Sequence, residues 1–122
     1  MIEYTFEMPL HLLQVRLSNS VSLLDLVNFF AKVQKDPRYG PTFKSLFIID
    51  PDAFLVNFVP AAISKLFQRM EDSIGPSWWA IVASDASQKS IFTSALHDFV
   101  FKRVKISLFD DEFPALQWLK SN

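Results

Sequence analysis

The chain of 122 residues has no cysteine, only two glycines, and no apolar run long enough to cross a membrane. Without cysteine it has no disulfide, thiolate nucleophile or zinc–thiolate site, and this composition fits a reducing compartment. Two glycines are too few for a glycine-rich loop that cradles phosphates. The start, MIEYTFEMPLHLL, has acids where a secretory signal carries basic residues, so we expect a cytoplasmic protein.

A strong charge of either sign is also missing. Twelve basic residues stand against 13 acidic ones with no basic run, so we expect no nucleic-acid partner. What the chain does have is apolar content, since half of its residues are hydrophobic and 13 are Phe. A chain of this length buries about two-thirds of its unfolded surface in one core, and we therefore expect a single domain, residues 1–122.

Hydrophobic periodicity predicts nine elements. Alternation or short apolar runs predict strands at residues 2–8, 10–17, 44–50, 78–84 and 105–109. Caps and helical spacing predict helices that begin at Ser22, near Pro60, at residue 86 and after Asp111. Because helices join the last three strands, these strands are parallel, and the two N-terminal strands extend the same sheet with at least one antiparallel. The predicted fold is α/β, a single mixed, mostly parallel sheet of about five strands with about four helices.

The same spacing predicts which side chains of the helices face the core. The predicted inward positions include Val27 in the first helix, Ile74 in the second, Phe99 and Val100 in a third helix that runs to residue 103, and Phe113 in the fourth.

Acidic residues follow each parallel strand, where ligands gather in open α/β sheets. They are accompanied by one serine, and the set is Asp50, Asp52, Ser84, Asp85, Asp110, Asp111 and Glu112. One interpretation is a divalent-metal site of a metal-dependent enzyme, because hard cations prefer clustered carboxylates. The other, which we favour, is that Asp85 and Asp111 cap helices and that Asp50 and Asp52 form an Asx turn. We therefore expect no cofactor.

The two histidines, His11 and His97, are in no catalytic motif, and the sequence has no nucleophile elbow or zinc-protease signature. We interpret both as surface residues and expect no enzymatic activity.

The unusual segment is FIIDPDAFLVNFVP, residues 47–60, in which five large apolar residues occupy a predicted connection: Phe54, Leu55, Val56, Phe58 and Val59. Connections are usually polar. Some of these side chains, for instance Phe54 and Val59, could fold back onto the second helix as a hydrophobic staple. The others would form an exposed patch or line a pocket, which marks a site for a partner, a membrane or a ligand.

The order of elements resembles the STAS-like family of anti-sigma-factor antagonists. The resemblance rests on the two-strand start, the capped helix that leads into KDPRYGPTFKSLFIID, the strand SWWAIVAS followed by SQKSIFTSALHDF, and the finish KISLFDDEFPALQWL. It resembles most the small stand-alone bacterial domains, whose last strand runs through an acidic turn into a helix with an A-L-x-W-L pattern. It covers nearly the whole chain.

The resemblance implies a domain that binds another protein and, in the best-known members, is switched by phosphorylation of a Ser or Thr before the second helix. The expected D-S-S-G-like turn is missing here. Asn57 stands near the position of the hydroxyl, and Ser64 lies inside the helix. The phosphorylation switch is therefore not carried over to this chain.

These observations predict a non-enzymatic interaction domain that binds a protein partner, or a second copy of itself, through residues 52–63. The predicted binding residues are Asp52, Phe54, Leu55, Val56, Asn57, Phe58, Ser84 and Asp85. The substitution Phe58→Ser is expected to weaken association and leave the melting temperature almost unchanged. A homodimer would use this loop or the N-terminal edge strand.

The alternative prediction is a domain that binds lipid or a small apolar ligand, or that associates with a membrane surface. Its pocket would lie between the second and third helices, with Asp50, Ser84 or Asp85 at the mouth.

Overall fold

A computed structural model describes residues 1–40, 43–73, 76–97 and 100–122. Five strands form the main sheet: β1 (Ile2–Glu7), β2 (Leu12–Leu17), β4 (Lys44–Ile49), β6 (Ser77–Ala83) and β7 (Val104–Phe109). Their spatial order is β1-β2-β4-β6-β7, with β1 antiparallel to β2 and every other pair parallel. Two further strands, β3 (Ser20–Ser22) and β5 (Phe54–Val56), form a separate parallel pair. The helices are α1 (Leu23–Lys35), α2 (Pro60–Ser73), α3 (Ala86–His97) and α4 (Glu112–Lys120). The predicted fold class is thus confirmed.

The two faces of the main sheet are covered unequally. On one face, which we call the three-helix face, α1, α2 and α3 bury the side chains of the strands in the larger core. Trp79 is at its centre and contacts Phe30, Phe47 and Phe67 at ring-centroid distances of 6.1, 6.0 and 5.6 Å. On the other face, the α4 face, one short helix packs over β4, β6 and β7 through the buried Ala115 and Leu119.

The start of α1 agrees with its sequence signal. Ser22 Oγ accepts a hydrogen bond from the Asp25 N–H at 3.0 Å, and Asp25 Oδ2 accepts one from the Ser22 N–H at 2.9 Å. This capping box satisfies two backbone donors at the helix start. The prediction that Val27 points inward is wrong. Phe29 is buried instead, and Val27 is exposed at the margin of the stripe.

The third helix is shorter than predicted, because no helix is present at residues 100–103. Val100 is exposed there, contrary to its predicted inward position. Glu71 Oε2 on α2 accepts hydrogen bonds from the N–H groups of Arg103 and Val104, at 2.5 and 2.9 Å, and so fixes the entry into β7. The predictions for Ile74 and Phe99 lie outside the described residues.

The C-terminal helix follows its predicted cap, since Asp111 accepts a hydrogen bond from the Glu112 N–H at 2.8 Å. The prediction for Phe113 is wrong. The buried stripe passes through Ala115 and Leu119, which leaves the Phe113 side chain 68% exposed. Among the described residues, no helix is long and apolar enough to cross a membrane.

Candidate functional site

Strand ends meet at the carboxyl edge of the main sheet, next to the β3–β5 pair. The acidic residues predicted at this edge make local contacts. Arg16 Nη1 donates to Asp50 Oδ1 at 2.7 Å, and Lys89 pairs with Asp110. Asp50 thus binds an arginine on the neighbouring strand, and the predicted Asx turn is replaced by a backbone turn in which the Ala53 N–H donates to the Asp50 carbonyl at 2.9 Å.

Asp85 is an N-terminal cap for α3, as predicted. Its Oδ2 accepts hydrogen bonds from the N–H groups of Ser87 and Gln88, both at 3.1 Å, and from the Ser87 hydroxyl. The Ser87 hydroxyl, followed by the Gln88 N–H, holds the pKa of Asp85 below its usual value because these bonds stabilise the carboxylate. Within the described ranges, no group of three or more His, Cys, Asp or Glu is placed to hold a metal ion. Asp50, Asp85, Asp110 and Asp111 thus have structural contacts.

Gln88 connects the start of α3 to the turn after β4. Its Nε2 donates to the carbonyl oxygens of Asp50 and Ala53 at 3.0 and 2.9 Å, and approaches that of Pro51 at 3.4 Å. The side chain is buried, and its Oε1 has no partner among the described residues. Gln88 thereby joins the start of α3, which Asp85 caps, to residues 50–53. Sequence reasoning missed Gln88, although its spacing from Phe92 and Ala95 places it on the inner stripe of α3.

The apolar segment after this turn is a strand and not an irregular loop. Phe54, Leu55 and Val56 pair in parallel with Ser20, Val21 and Ser22. The pairing is extended by a 2.7 Å hydrogen bond from the Phe54 N–H to the Asn19 carbonyl. Such short strands lie below the length at which an alternating pattern can be recognised, so the sequence prediction missed both.

The inner side of this β3–β5 pair explains part of the apolar content. Val21 is fully buried, and Leu55 is half-buried against the larger core. After β5 the chain turns at Asn57, whose φ of 62° is left-handed, and Phe58 then points inward. Its ring meets Phe92 of α3 edge to face, with centroids 6.3 Å apart.

The prediction that Phe58 belongs to an exposed binding surface is therefore wrong, because its side chain is only 5% exposed. The interpretation that some side chains of this apolar segment fold back is correct for Phe58 and Leu55, but wrong for its two examples, Phe54 and Val59. These two side chains are 69% and 56% exposed. The alternation of inward and outward side chains in β5 does not continue beyond Asn57, because the left-handed turn there changes the direction of the backbone. Phe58 therefore points inward although Phe54 points outward.

The outer side of the pair carries an apolar surface. Because β3 and β5 are parallel, both strands finish at the same end of the pair, and the residues that follow each strand begin there. Leu24 follows β3 and is 66% exposed, and Val59 follows β5. We call Leu24, Phe54, Val56 and Val59 the ribbon surface. Asp52, Asn57 and Ser84 are exposed in the turns near it.

Between the sheet and helices α1, α2 and α3 lies an apolar cavity of about 10 Å³. This volume is about that needed for one water molecule, whereas small-molecule sites typically have about 300–1,000 Å³. Residues of α2 and α3 line it, as the alternative prediction of a lipid pocket expected, but so do residues of α1, and Asp50, Ser84 and Asp85 do not.

No family model matches this chain, and no curated protein or solved structure is significantly similar to it.

Proposed function

We propose that this chain is a cytoplasmic, non-enzymatic, STAS-like interaction domain that binds a protein partner through the ribbon surface. The STAS-like resemblance of the element order supports a protein-binding role. The observation that carries the proposal is Phe54, a phenylalanine that is 69% exposed although its backbone is fixed in a strand.

The rigidity of Phe54 matters as much as its exposure. Its strand pairs with β3, its N–H is bonded to the Asn19 carbonyl, and Gln88 holds the preceding carbonyl of Ala53. A side chain on a fixed backbone loses little conformational freedom on binding, and aromatic anchors of this kind contribute strongly to protein interfaces. Val56, two positions along the same strand, points to the same side as Phe54, and the exposed Leu24 and Val59 follow the far end of the pair.

The cavity size favours protein binding over lipid carriage. A cavity of about 10 Å³ holds no acyl chain unless the helices separate, whereas Phe54 on the ribbon surface is accessible as it stands. The carboxylates next to this surface, Asp50 and Asp85, are bound to Arg16 and to the start of α3. The proposal therefore assigns no chemistry to them.

The test places the photo-reactive residue p-benzoylphenylalanine at position 54 and, in a second variant, at position 113. Phe113 is a matched control, because it is equally exposed at 68% but lies on α4. The domain is irradiated in the cells that express it, and cross-linked products are identified by mass spectrometry. We expect one protein to cross-link from position 54 and not from position 113.

The purified protein is then tested against Phe54→Ser and Phe113→Ser. We expect Phe54→Ser to weaken binding about tenfold or more, equivalent to at least about 1.4 kcal/mol, and Phe113→Ser to leave it unchanged. Equal cross-linking from both positions, or equal affinity of both variants, would refute the proposal. Cross-linking from position 54 to lipid alone, with vesicle binding lost in Phe54→Ser, would assign the surface to a membrane.

A further inference from the structure

The last strand of the main sheet, β7, has a partner on one side only. It pairs with β6, and no other strand among the described residues pairs with its outer side. Exposed strand edges are templates for pairing with another strand, and proteins usually protect them with charges, proline or bulges. The sequence of β7, VKISLF, has one charge, no proline and several residues that favour strands.

The register shows which backbone groups point outward. The Ser77 N–H on β6 donates to the Arg103 carbonyl at 3.1 Å, and Ser77 is opposite Val104. Because successive residues of a strand point their N–H and C=O groups to opposite sides, Lys105 and Ser107 also face β6. Val104, Ile106 and Leu108 then turn their backbone groups to the outer side.

Among the described residues, a hydrogen-bond partner is present only for the first of these outward amides. Glu71 Oε2 accepts the Val104 N–H at 2.9 Å. Within the described part of the chain, no hydrogen bond uses the N–H of Ile106 or Leu108. Their side chains are half-buried on the three-helix face, so each leaves apolar surface at the edge. The open part of the edge is thus centred on Ser107.

Charges of opposite sign flank the two ends of β7. Three cations precede or begin the strand, and three acids follow it. The cations are Lys102, Arg103 and Lys105, and the acids are Asp110, Asp111 and Glu112. An antiparallel copy of the same segment would therefore bring the acids of one chain to the cations of the other.

We propose that two copies of this chain pair antiparallel through β7, about a two-fold axis at Ser107. In this register Ile106 is opposite the partner's Leu108, and Ser107 is opposite the partner's Ser107. The outward amides of Ile106 and Leu108 complete four hydrogen bonds in the pair. Glu71 keeps its bond to Val104. Lys102 and Arg103, which precede β7 in one copy, lie at the same end of the pair as Asp111 and Glu112, which follow β7 in the other.

The other edge strand of the main sheet, β1, is less suited than β7 to pairing with a second copy. β1 carries Glu3 and Glu7 and no basic residue, so two copies of β1 would bring only acids together. Pairing of β1 with β7 of another copy would leave free edges at both ends and produce open filaments. The β7 pair is a closed dimer in which the outward N–H groups of Ile106 and Leu108 are hydrogen-bonded in both copies. This inference does not rest on the ribbon surface and can fail or succeed independently of it.

The register is tested with Ser107→Cys. In the proposed pair the two cysteines occupy a non-hydrogen-bonded position, with Cα atoms about 4.5 Å apart, which is within the range of a disulfide. The chain has no native cysteine, so this thiol is the only one. Thr5→Cys, in the middle of β1, is the control. Disulfide formation under mild oxidation is followed on non-reducing gels.

We expect Ser107→Cys to form covalent dimers almost completely, while Thr5→Cys remains monomeric on the same gels. Equal rates for the two variants would overturn the proposal, as would a wild-type chain that stays monomeric at every concentration in sedimentation equilibrium. Oligomers larger than dimers would indicate filament-type pairing and also overturn it.

A charge swap tests the same register without a covalent bond. Lys102→Glu and Glu112→Lys each bring like charges together at the same end of the homodimer, and each is expected to weaken dimerisation about tenfold. A mixture of the two restores opposite charges. Native mass spectrometry should therefore show the heterodimer in excess over both homodimers. Statistical proportions of the three species would contradict the proposed register, and restored pairing in the mixture would show that both variants fold.

Discussion

The central strands of the main sheet are covered on both faces, whereas the β3–β5 pair is covered on one. In β4 and β6 the apolar residues on either face are buried, by three helices on one side and by α4 on the other. In the β3–β5 pair Val21 is buried, but Phe54 on the outer side is 69% exposed. Apolar content alone therefore does not measure burial. In the sheet it stabilises the fold, and on the pair's outer side it is available for binding.

The largest expected effect comes from the two phenylalanines of one segment. Phe58→Ala should lower the free energy of unfolding by about 3–5 kcal/mol, because it empties a buried site against Phe92. Phe54→Ala removes an exposed ring and should change it by less than about 0.5 kcal/mol. Urea unfolding of both variants measures the difference. Similar losses for the two would mean that the inner and outer sides are not distinct.

A smaller effect is expected where the β3–β5 pair is attached to α3. Gln88→Leu removes the donor to the carbonyls of Asp50 and Ala53. The Asp50 carbonyl keeps its bond from the Ala53 N–H, but the buried Ala53 carbonyl loses its bond to Gln88, which costs about 1–3 kcal/mol. Hydrogen exchange at residues 53–56 should become faster, with β4 and β6 unchanged. Gln117→Leu, at an exposed position of α4, is the control. Faster exchange throughout the main sheet would show that Gln88 supports the whole core.

The smallest effect concerns acid and the start of α1, which follows β3. Hydrogen bonds from the Ser22 N–H, and then from the Ser22 hydroxyl side chain, lower the pKa of Asp25 below its usual value. A lowered folded-state pKa gives stability that is present above the unfolded pKa of about 3.9 and is lost as the pH falls through the folded value.

Hydrogen exchange around residues 20–25 should therefore accelerate below about pH 4, after correction for intrinsic rates, before exchange in the main sheet does. Asp25→Asn retains an acceptor for the Ser22 N–H but does not titrate, so its exchange should respond less to acid. The same acid response in the variant would show that other groups control this region.

The main elements could be predicted from sequence because their signals are local. Ser22 and Asp25 form a capping-box pattern that marks the start of α1. The apolar runs around Phe47 and Trp79 are long enough to identify buried strands. Each of these features depends on residues within a few positions of one another. The fold class follows from their order and from the rule that helices connect parallel strands.

The inner and outer residues of the candidate site could not be predicted in the same way. Whether Phe54 or Phe58 faces the core depends on the left-handed backbone of Asn57 and on pairing with Ser20–Ser22, which lie far away in the chain. Asparagine tolerates this conformation, so its presence between two apolar residues was an available signal. The contact of Gln88 with the turn depends on tertiary structure and has no local signature.

Gln88 binds the turn at residues 50–53 through the main-chain carbonyl oxygens of Asp50 and Ala53 and through no side chain of that turn. Every residue type supplies a carbonyl, so the contact places no demand on the identity of the side chains it holds. Asp52 and Phe54 project from this segment into solvent and can be exchanged while the backbone beneath them keeps its course. The scaffold thus separates the backbone that sets position from the side chains that face solvent. Under the proposed function, a change of partner would require replacing only those projecting side chains.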